Sequence, residues 1–517
     1  MQRRRPFQAV GEVECLSSGA AGALKKLVAA SRSSGTLNLA NRHLQQVEAD
    51  GDNIKWWEVN ELTKLDMSYN ELQHLPAQLC SNQLQQLPPG IQALETLKQL
   101  DVSDNPLASL PEQLADLPAL ASLKCSNCKL QQLPQRLGFG QPQLSAVNVE
   151  GNQLTTLPAG LASAQALVVL NASKNQLAEL PGDLLAAWLS LRELDVSANQ
   201  LTALPAAVGS LPRLALLDVR SNQLSGLPAE VGRASSLVEL KVGFNRLQQL
   251  PDTLGMLVNM KTLDVRNNLL QELPETLCGL QLVLLDLTNN SLRRLPPGLG
   301  HMTSLRSMPL DGNALKLMRR ELWSALDAAS LASLAHLKVL CLNSCSLAAW
   351  PLRSVPPGAL DSLHTLEVRG NPLQGPLGRG CLASCPALRS LDVSGVRGLQ
   401  LSADVLQDTP QLEVLLAGNA GLQQFPAAVL ACPGLRQLSL GSNSIAGLPM
   451  EVTQLRRLTE LDVSNNQLSS LPPQLGLLSG SLRVLQLEGN CLRTIRRPIL
   501  DKGTAGVLDW LRDRIPA

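Results

Sequence analysis

The sequence predicts an α/β repeat solenoid, a curved horseshoe with a parallel sheet on its concave face and short helical or irregular segments on its convex face. Three observations predict it. The pattern L-x-x-L-x-L-x-x-N-x-L recurs as LKQLDVSDNPL at Leu97 to Leu107, LRELDVSANQL at Leu191 to Leu201 and LTELDVSNNQL at Leu458 to Leu468. Its asparagine returns at Asn152, Asn175, Asn199, Asn222, Asn245, Asn268, Asn290 and Asn313, in steps of 23, 24, 23, 23, 23, 22 and 23 residues. Hydrophobic residues make up 44% of the 517-residue chain but aromatics only 2%, so the core must consist of stacked leucine layers.

Within each repeat the L-x-L alternation has period two and predicts a short strand, with its leucines inward and their neighbours outward. Most repeats continue L-x-x-L-P-x-x-L-x-x-L, as in LTALPAAVGSL at Leu201 to Leu211. Proline ends the extended segment, and the leucine spacing after it suits a short helical or 3₁₀ turn on the other side. The asparagine sits at the bend, where its amide meets backbone groups that would cost about 1 to 3 kcal/mol each if buried unpaired. The same ladder position falls at Asn70, Asn105, Asn371, Asn443, Asn466 and Asn490, and at Arg42, Cys128, Cys345, Val396 and Ala420 without an asparagine. The predicted organisation is a tail and capping helix over 1–35, about nineteen full repeats plus a partial one over 36–495, and a capping helix over 496–517.

At the N-terminal end, Leu24, Leu27 and Val28 share one face of a helix over about Gly22 to Ser33. Trp56 and Trp57 sit where the first regular layer must close, so closure is favoured over an exposed docking anchor. The step from Asn70 to Asn105 is 35 residues, and Asn82 opens SNQLQQLP with no strand before it. Either a partial repeat or a loss from the sequence explains that spacing. The step from Asn313 to Cys345 is 32 residues, and its excess at Leu315 to Ala335, with Lys316, Arg319, Arg320, Glu321 and Trp323, predicts a longer outer helix. At the C-terminal end, Gly503 and Thr504 are placed to cap a helix carrying Val507, Leu508, Leu511 and Ile515 on one side.

Lys plus Arg is 44 and Asp plus Glu is 43, a balance that offers no basic field to a nucleic acid. No run approaches the length of a membrane span, and no signal-like apolar segment follows Arg3, Arg4 and Arg5. The eleven cysteines are scattered rather than clustered in terminal caps, which predicts reduced thiols and a cytoplasmic chain, with the nucleus as a second compartment.

Candidate chemistry is sparse. Cys125 and Cys128 have C-x-x-C spacing, but in register they occupy an inner-leucine slot and the asparagine slot, so a structural role outweighs a dithiol or half a zinc site. The histidines His43, His74, His301, His336 and His364 form no metal-ligand spacing. Gly375 to Gly380 lacks the strand, helix and lysine of a phosphate loop and reads as an outer turn. The expectation is no catalytic residue, no metal and no cofactor, since the segments outside the repeats are too short for a catalytic domain.

This pattern resembles the leucine-rich-repeat superfamily over roughly residues 36 to 495, and its L-x-x-L-P form resembles the intracellular, Ras-group-like branch. The resemblance implies a non-catalytic scaffold binding a partner protein, or, as the alternative, a regulatory subunit or effector of a small GTPase or phosphatase. An enzyme using the repeats for recognition is the remaining, least favoured reading. Neither nucleic acid nor membrane insertion is expected.

The third, fifth and seventh positions of each repeat face outward on the strand side. In the middle repeats they are Glu193, Asp195, Asp218, Arg220, Glu239, Lys241, Asp264, Arg266 and Asp286, with Phe244 one position nearer the bend. Charges of both signs around a rare aromatic make these residues the candidate partner-binding face, against the plainer reading of a solvated polar surface with local ion pairs.

Overall fold

The computed structural model describes residues 27, 29–31, 33–41, 62–70, 95–296, 298–299, 302–314, 334–353, 355–373, 375–397, 400–402 and 404–515. The expectations for Leu24, Val28, Trp56, Trp57, Asn82 and Leu315 to Ser333 therefore lie outside the described residues. The chain packs as two compact units, Met1–Leu201 and Thr202–Ala517.

The described strands of the first unit are β1 (Thr36–Asn38), β2 (Lys64–Asp66), β3 (Gln99–Asp101), β4 (Ser122–Lys124), β5 (Ala146–Asn148), β6 (Val169–Asn171) and β7 (Glu193–Asp195). Each pairs in parallel with the next. Those of the second unit are β8 (Leu216–Asp218), β9 (Glu239–Lys241), β10 (Thr262–Asp264), β11 (Leu284–Asp286), β12 (Ser307–Pro309), β13 (Val339–Cys341), β14 (Thr365–Glu367), β15 (Ser390–Asp392), β16 (Val414–Leu416), β17 (Gln437–Ser439), β18 (Glu460–Asp462) and β19 (Val484–Gln486). They too are parallel neighbours in chain order.

Every strand is three residues long, and its middle residue is the inner leucine or its equivalent. Leu240, Leu263 and Leu285 stand in register and are fully buried. Burying one such side chain contributes about 1.5 to 3 kcal/mol, and a parallel register turns the repeat into continuous leucine columns. After the strand, prolines such as Pro205, Pro228 and Pro251 hold φ near −70° and open 3₁₀ turns at Ala206–Ser210, Ala229–Arg233 and Asp252–Met256. The repeat that is one residue longer, between Asn175 and Asn199, closes this side with an α-helix instead, α1 (Gly182–Ala187). Trp188 follows it, fully buried, its indole N–H donating to the Leu161 carbonyl at 2.8 Å.

The bend is built from three interlocking devices. Asn245 Nδ2 donates to the carbonyls of Val219, Val242 and Gly243, while its Oδ1 accepts from Leu224 N–H at 3.0 Å. Asn152, Asn175, Asn268, Asn290 and Asn313 repeat this arrangement. At Cys128 and Cys345 the thiols stand in for the amide, 3.5 Å from the Val102 carbonyl and 3.2 Å from the Leu310 carbonyl.

The residue before the ladder position takes left-handed backbone even where it is not glycine: φ is 56° at Asp104, 54° at Lys174, 57° at Phe244 and 53° at Asn267. What compensates is a backbone bond to the next repeat, such as Phe244 N–H to the Arg266 carbonyl at 2.8 Å. Thirdly, an aspartate or asparagine at the fifth position turns the strand end by accepting the N–H two residues on, as Asp195 does from Ser197 and Asp264 from Arg266.

At the C-terminal end, α2 (Arg497–Leu500) leads into α3 (Gly503–Arg512), which lies on the 3₁₀ turn Pro473–Gly480 and buries Val507, Leu508 and Leu511. Thr504 does not cap α3 as the sequence suggested. Its hydroxyl instead accepts the Leu485 N–H of β19 at 3.0 Å, which no later strand among the described residues engages. No helix among the described residues is long and apolar enough to cross a membrane.

Candidate functional site

Glu193 and Asp195 lie on β7 of the first unit, Glu193 exposed and Asp195 engaged by Ser197. The other candidates gather on β8 to β11 of the second unit and the residues just after those strands. Arg220 grips Asp218 through two nitrogens, Nη2 at 2.6 Å and Nε at 3.0 Å, and the Asp218 carboxylate is buried beneath it. Lys241 pairs with Glu239 at 2.8 Å on the same strand.

Arg266 is the hub. Its Nε lies 3.5 Å from Asp264 and its Nη1 3.8 Å from Asp286, while its guanidinium carbon stands 5.5 Å from the centre of the Phe244 ring. Gly243 makes this possible, since a Cβ there would come within 3.0 Å of Arg266 Cγ. Arg266 Nε is buried and finds no hydrogen-bond acceptor. Burial pushes the Asp264 carboxyl above its usual range, against the lowering by the Arg266 N–H and guanidinium. Phe244 remains 47% exposed.

The outward reading of the fifth position therefore needs one correction. Asp218 and Asp264 are buried, because each serves its own strand end and is covered by the arginine two residues on. Of the candidates in this region, Phe244, Arg220, Arg266, Lys241 and Glu239 keep solvent-exposed surface.

Residues 235–292 and 433–492 match the family described as Leucine rich repeat. Among solved structures, the chain is similar to YopM from Yersinia enterocolitica, at 26% identity over 90% of both chains with a TM-score of 0.53. It is also similar to an LRR protein of Leptospira interrogans, at 23% identity over 94% of this chain and 97% of that one, with a TM-score of 0.52. The fold is a leucine-rich-repeat solenoid.

Within the leucine-rich repeats, the C-x-x-C cysteines are structural. Cys125 and Cys128 are both buried free thiols, and burial pushes each thiol above its ordinary range. Among the described residues, one titratable cluster was not legible in the sequence. Asp311, Cys341 and Glu367 come from three successive repeats, and their ligand atoms lie within 4.8 Å of one another. Asn343 ties them together, its N–H donating to Asp311 and its Nδ2 to Glu367, both at 2.7 Å. One thiol and two carboxylates form a donor set suited to a divalent cation such as zinc. Burial, with Glu367 and Asp311 beside it, holds the proton on Cys341, so a cation would have to displace that proton to bind. The seventh and fifth positions of the repeat are the only signal that could have found this cluster, and the long step after Asn313 hides their alignment.

Proposed function

We propose that this chain is a non-catalytic scaffold that binds a partner protein through the strand face of its second unit, around Phe244, Arg266 and Arg220. Phe244 carries the reading. It occupies a left-handed position with φ of 57°, where asparagine or glycine fits with less strain, and it still presents nearly half its surface to solvent. A strained, exposed aromatic under an arginine is costly for folding and useful for recognition, since aromatics and arginine dominate binding energy at interfaces.

The L-x-x-L-P turns resemble those of the intracellular branch, which supports this reading. In addition, ALKKLVAASRSSGTLNL at Ala23 to Leu39, Lys55-Trp56-Trp57-Glu58 and DKGTAGVLDWLRDRIP at Asp501 to Pro516 resemble leucine-rich repeat-containing protein 40. Nine free cysteines among the described residues suit a reducing compartment, hence the cytoplasm, with the nucleus second. The same L-x-x-L-P form favours, as the finer role, regulation of a small GTPase or phosphatase, tested by adding the chain to a purified enzyme and measuring its rate.

The scaffold reading is tested by affinity purification and mass spectrometry with wild type, a Phe244→Ala/Arg266→Gln variant and a Met256→Ala/Val258→Ala variant. Met256 and Val258 are exposed on the turn side. Loss of a specific partner from the first variant alone is expected. Undiminished recovery from that variant, with its melting point unchanged, would move the site elsewhere.

A further inference from the structure

The second position of each repeat, one residue before the strand, forms its own line across the sheet. Ahead of β12, β13, β14 and β15 it is filled by Arg306, Lys338, His364 and Arg389. Their backbones are directly bonded in that order: Lys338 N–H to the Arg306 carbonyl at 2.8 Å, His364 to Lys338 at 2.9 Å, and Arg389 to His364 at 2.9 Å. Neighbouring members are thus about 4.8 Å apart, the spacing of paired strands. Arg306, Lys338 and Arg389 are exposed. Neither Arg306 nor Lys338 has an acidic partner among the described residues, and Arg389 reaches Glu413 only at 3.9 Å. Arg306 and Lys338 are like charges on adjacent strands and repel, an arrangement that an anion would relieve.

Its ends are sharp. Val283 precedes Arg306 in the line, and Glu413 follows Arg389 and is shared with Arg436 at 3.5 Å. On the same repeats, Asp311, Glu367 and Asp392 form a parallel acidic line at or just past the far ends of the strands. Glu367 and Asp392 lie three residues beyond His364 and Arg389, about 10 Å, and Asp311 lies five residues beyond Arg306. A duplex or a lipid surface broad enough to cover the basic line would also press on the acidic one, and the chain's net charge of +1 gives neither any general attraction. A single extended chain fits. The four-residue line spans about 14 Å, close to the roughly 13 Å between residues i and i+4 of an extended peptide, so acidic residues at i, i+2 and i+4 can reach it.

We propose that Arg306, Lys338 and Arg389 form a docking line for an extended, acidic segment of a partner protein. This surface is separate from the one around Phe244. The test uses the full chain and a fluorescein-labelled peptide alternating glutamate and serine, read by anisotropy, with a lysine–serine peptide, oligothymidylate and phosphatidylserine vesicles as comparators. The triple variant Arg306→Glu/Lys338→Glu/Arg389→Glu should weaken acidic-peptide binding by at least about tenfold, and the corresponding glutamine triple by less. A control with the same charge change, Arg213→Glu/Arg233→Glu/Arg293→Glu, should stay within about twofold. If the glutamate triple does not fold, the glutamine triple carries the comparison. The proposal is overturned if wild type does not bind the acidic peptide, if the control loses as much, or if oligothymidylate or vesicles bind more tightly. Every row variant leaves Arg220, Phe244 and Arg266 unchanged, so failure here leaves the scaffold reading standing.

Discussion

Asn245 Nδ2 donates to the Val219 carbonyl at 3.0 Å across 26 residues of sequence, and with its Oδ1 it joins two repeats at one bend. Asn245→Ala leaves the Val219 and Gly243 carbonyls and the Leu224 N–H without this partner. A loss of about 1 to 3 kcal/mol is expected, read as a lower melting temperature and faster amide exchange at Leu224. Unchanged melting and exchange would remove the asparagine from the account of the bend.

Phe244→Asn should do the opposite. Asparagine tolerates left-handed backbone, as Asn267 and Asn289 do at the same position. A gain of about 0.5 to 1 kcal/mol in unfolding free energy is expected, together with loss of the partner. A variant that is no more stable than wild type would show that φ of 57° costs this chain nothing.

Asp264 sets a pH dependence. Burial holds its folded-state pKa above the ordinary 3.8, so the folded chain retains a proton that the unfolded chain has released. Its favourable contribution is therefore complete only below 3.8 and is lost as pH rises through the raised folded value. Asp264→Asn keeps an acceptor for the Arg266 N–H, just as Asn171 accepts from Ser173. That variant should melt higher than wild type near neutral pH, and the difference should vanish in acid. A gain that persists in acid would locate the effect in packing rather than charge.

The C-terminal helix closes the leucine layers of the second unit. A Cβ on Gly476 would collide with the Arg512 backbone nitrogen, so Gly476→Ala must push α3 outward, at about 1 to 3 kcal/mol. Deleting residues 499–517 strips the cover from the turn that carries Leu475 and Leu478 and should cause aggregation by light scattering. A truncated chain that stays monomeric and equally stable would make the tail an independent element.

What recurs locally along this chain was legible in its sequence. The inner leucines, the proline-led turns and the parallel sheet follow from a period of about 23 residues, because each repeat must bury the same face against the same neighbour. Residues that answer two demands were not legible in this way. The fifth-position aspartates look like surface charge by alternation, yet Asp218 and Asp264 are buried because the strand end needs an acceptor and an arginine folds over each.

By itself, then, the sequence determined the repeat, its strand, its ladder and the order of layers, since these depend on hydrophobic period and turn chemistry within one repeat. Only the tertiary structure decided which side chains of different repeats meet. Arg266 over Phe244, Cys341 between Asp311 and Glu367, and the line from Arg306 to Arg389 all join residues more than twenty positions apart. The 32-residue step from Asn313 to Cys345 hides the last two from counting, and parallel backbone pairing restores the register that spacing alone had lost.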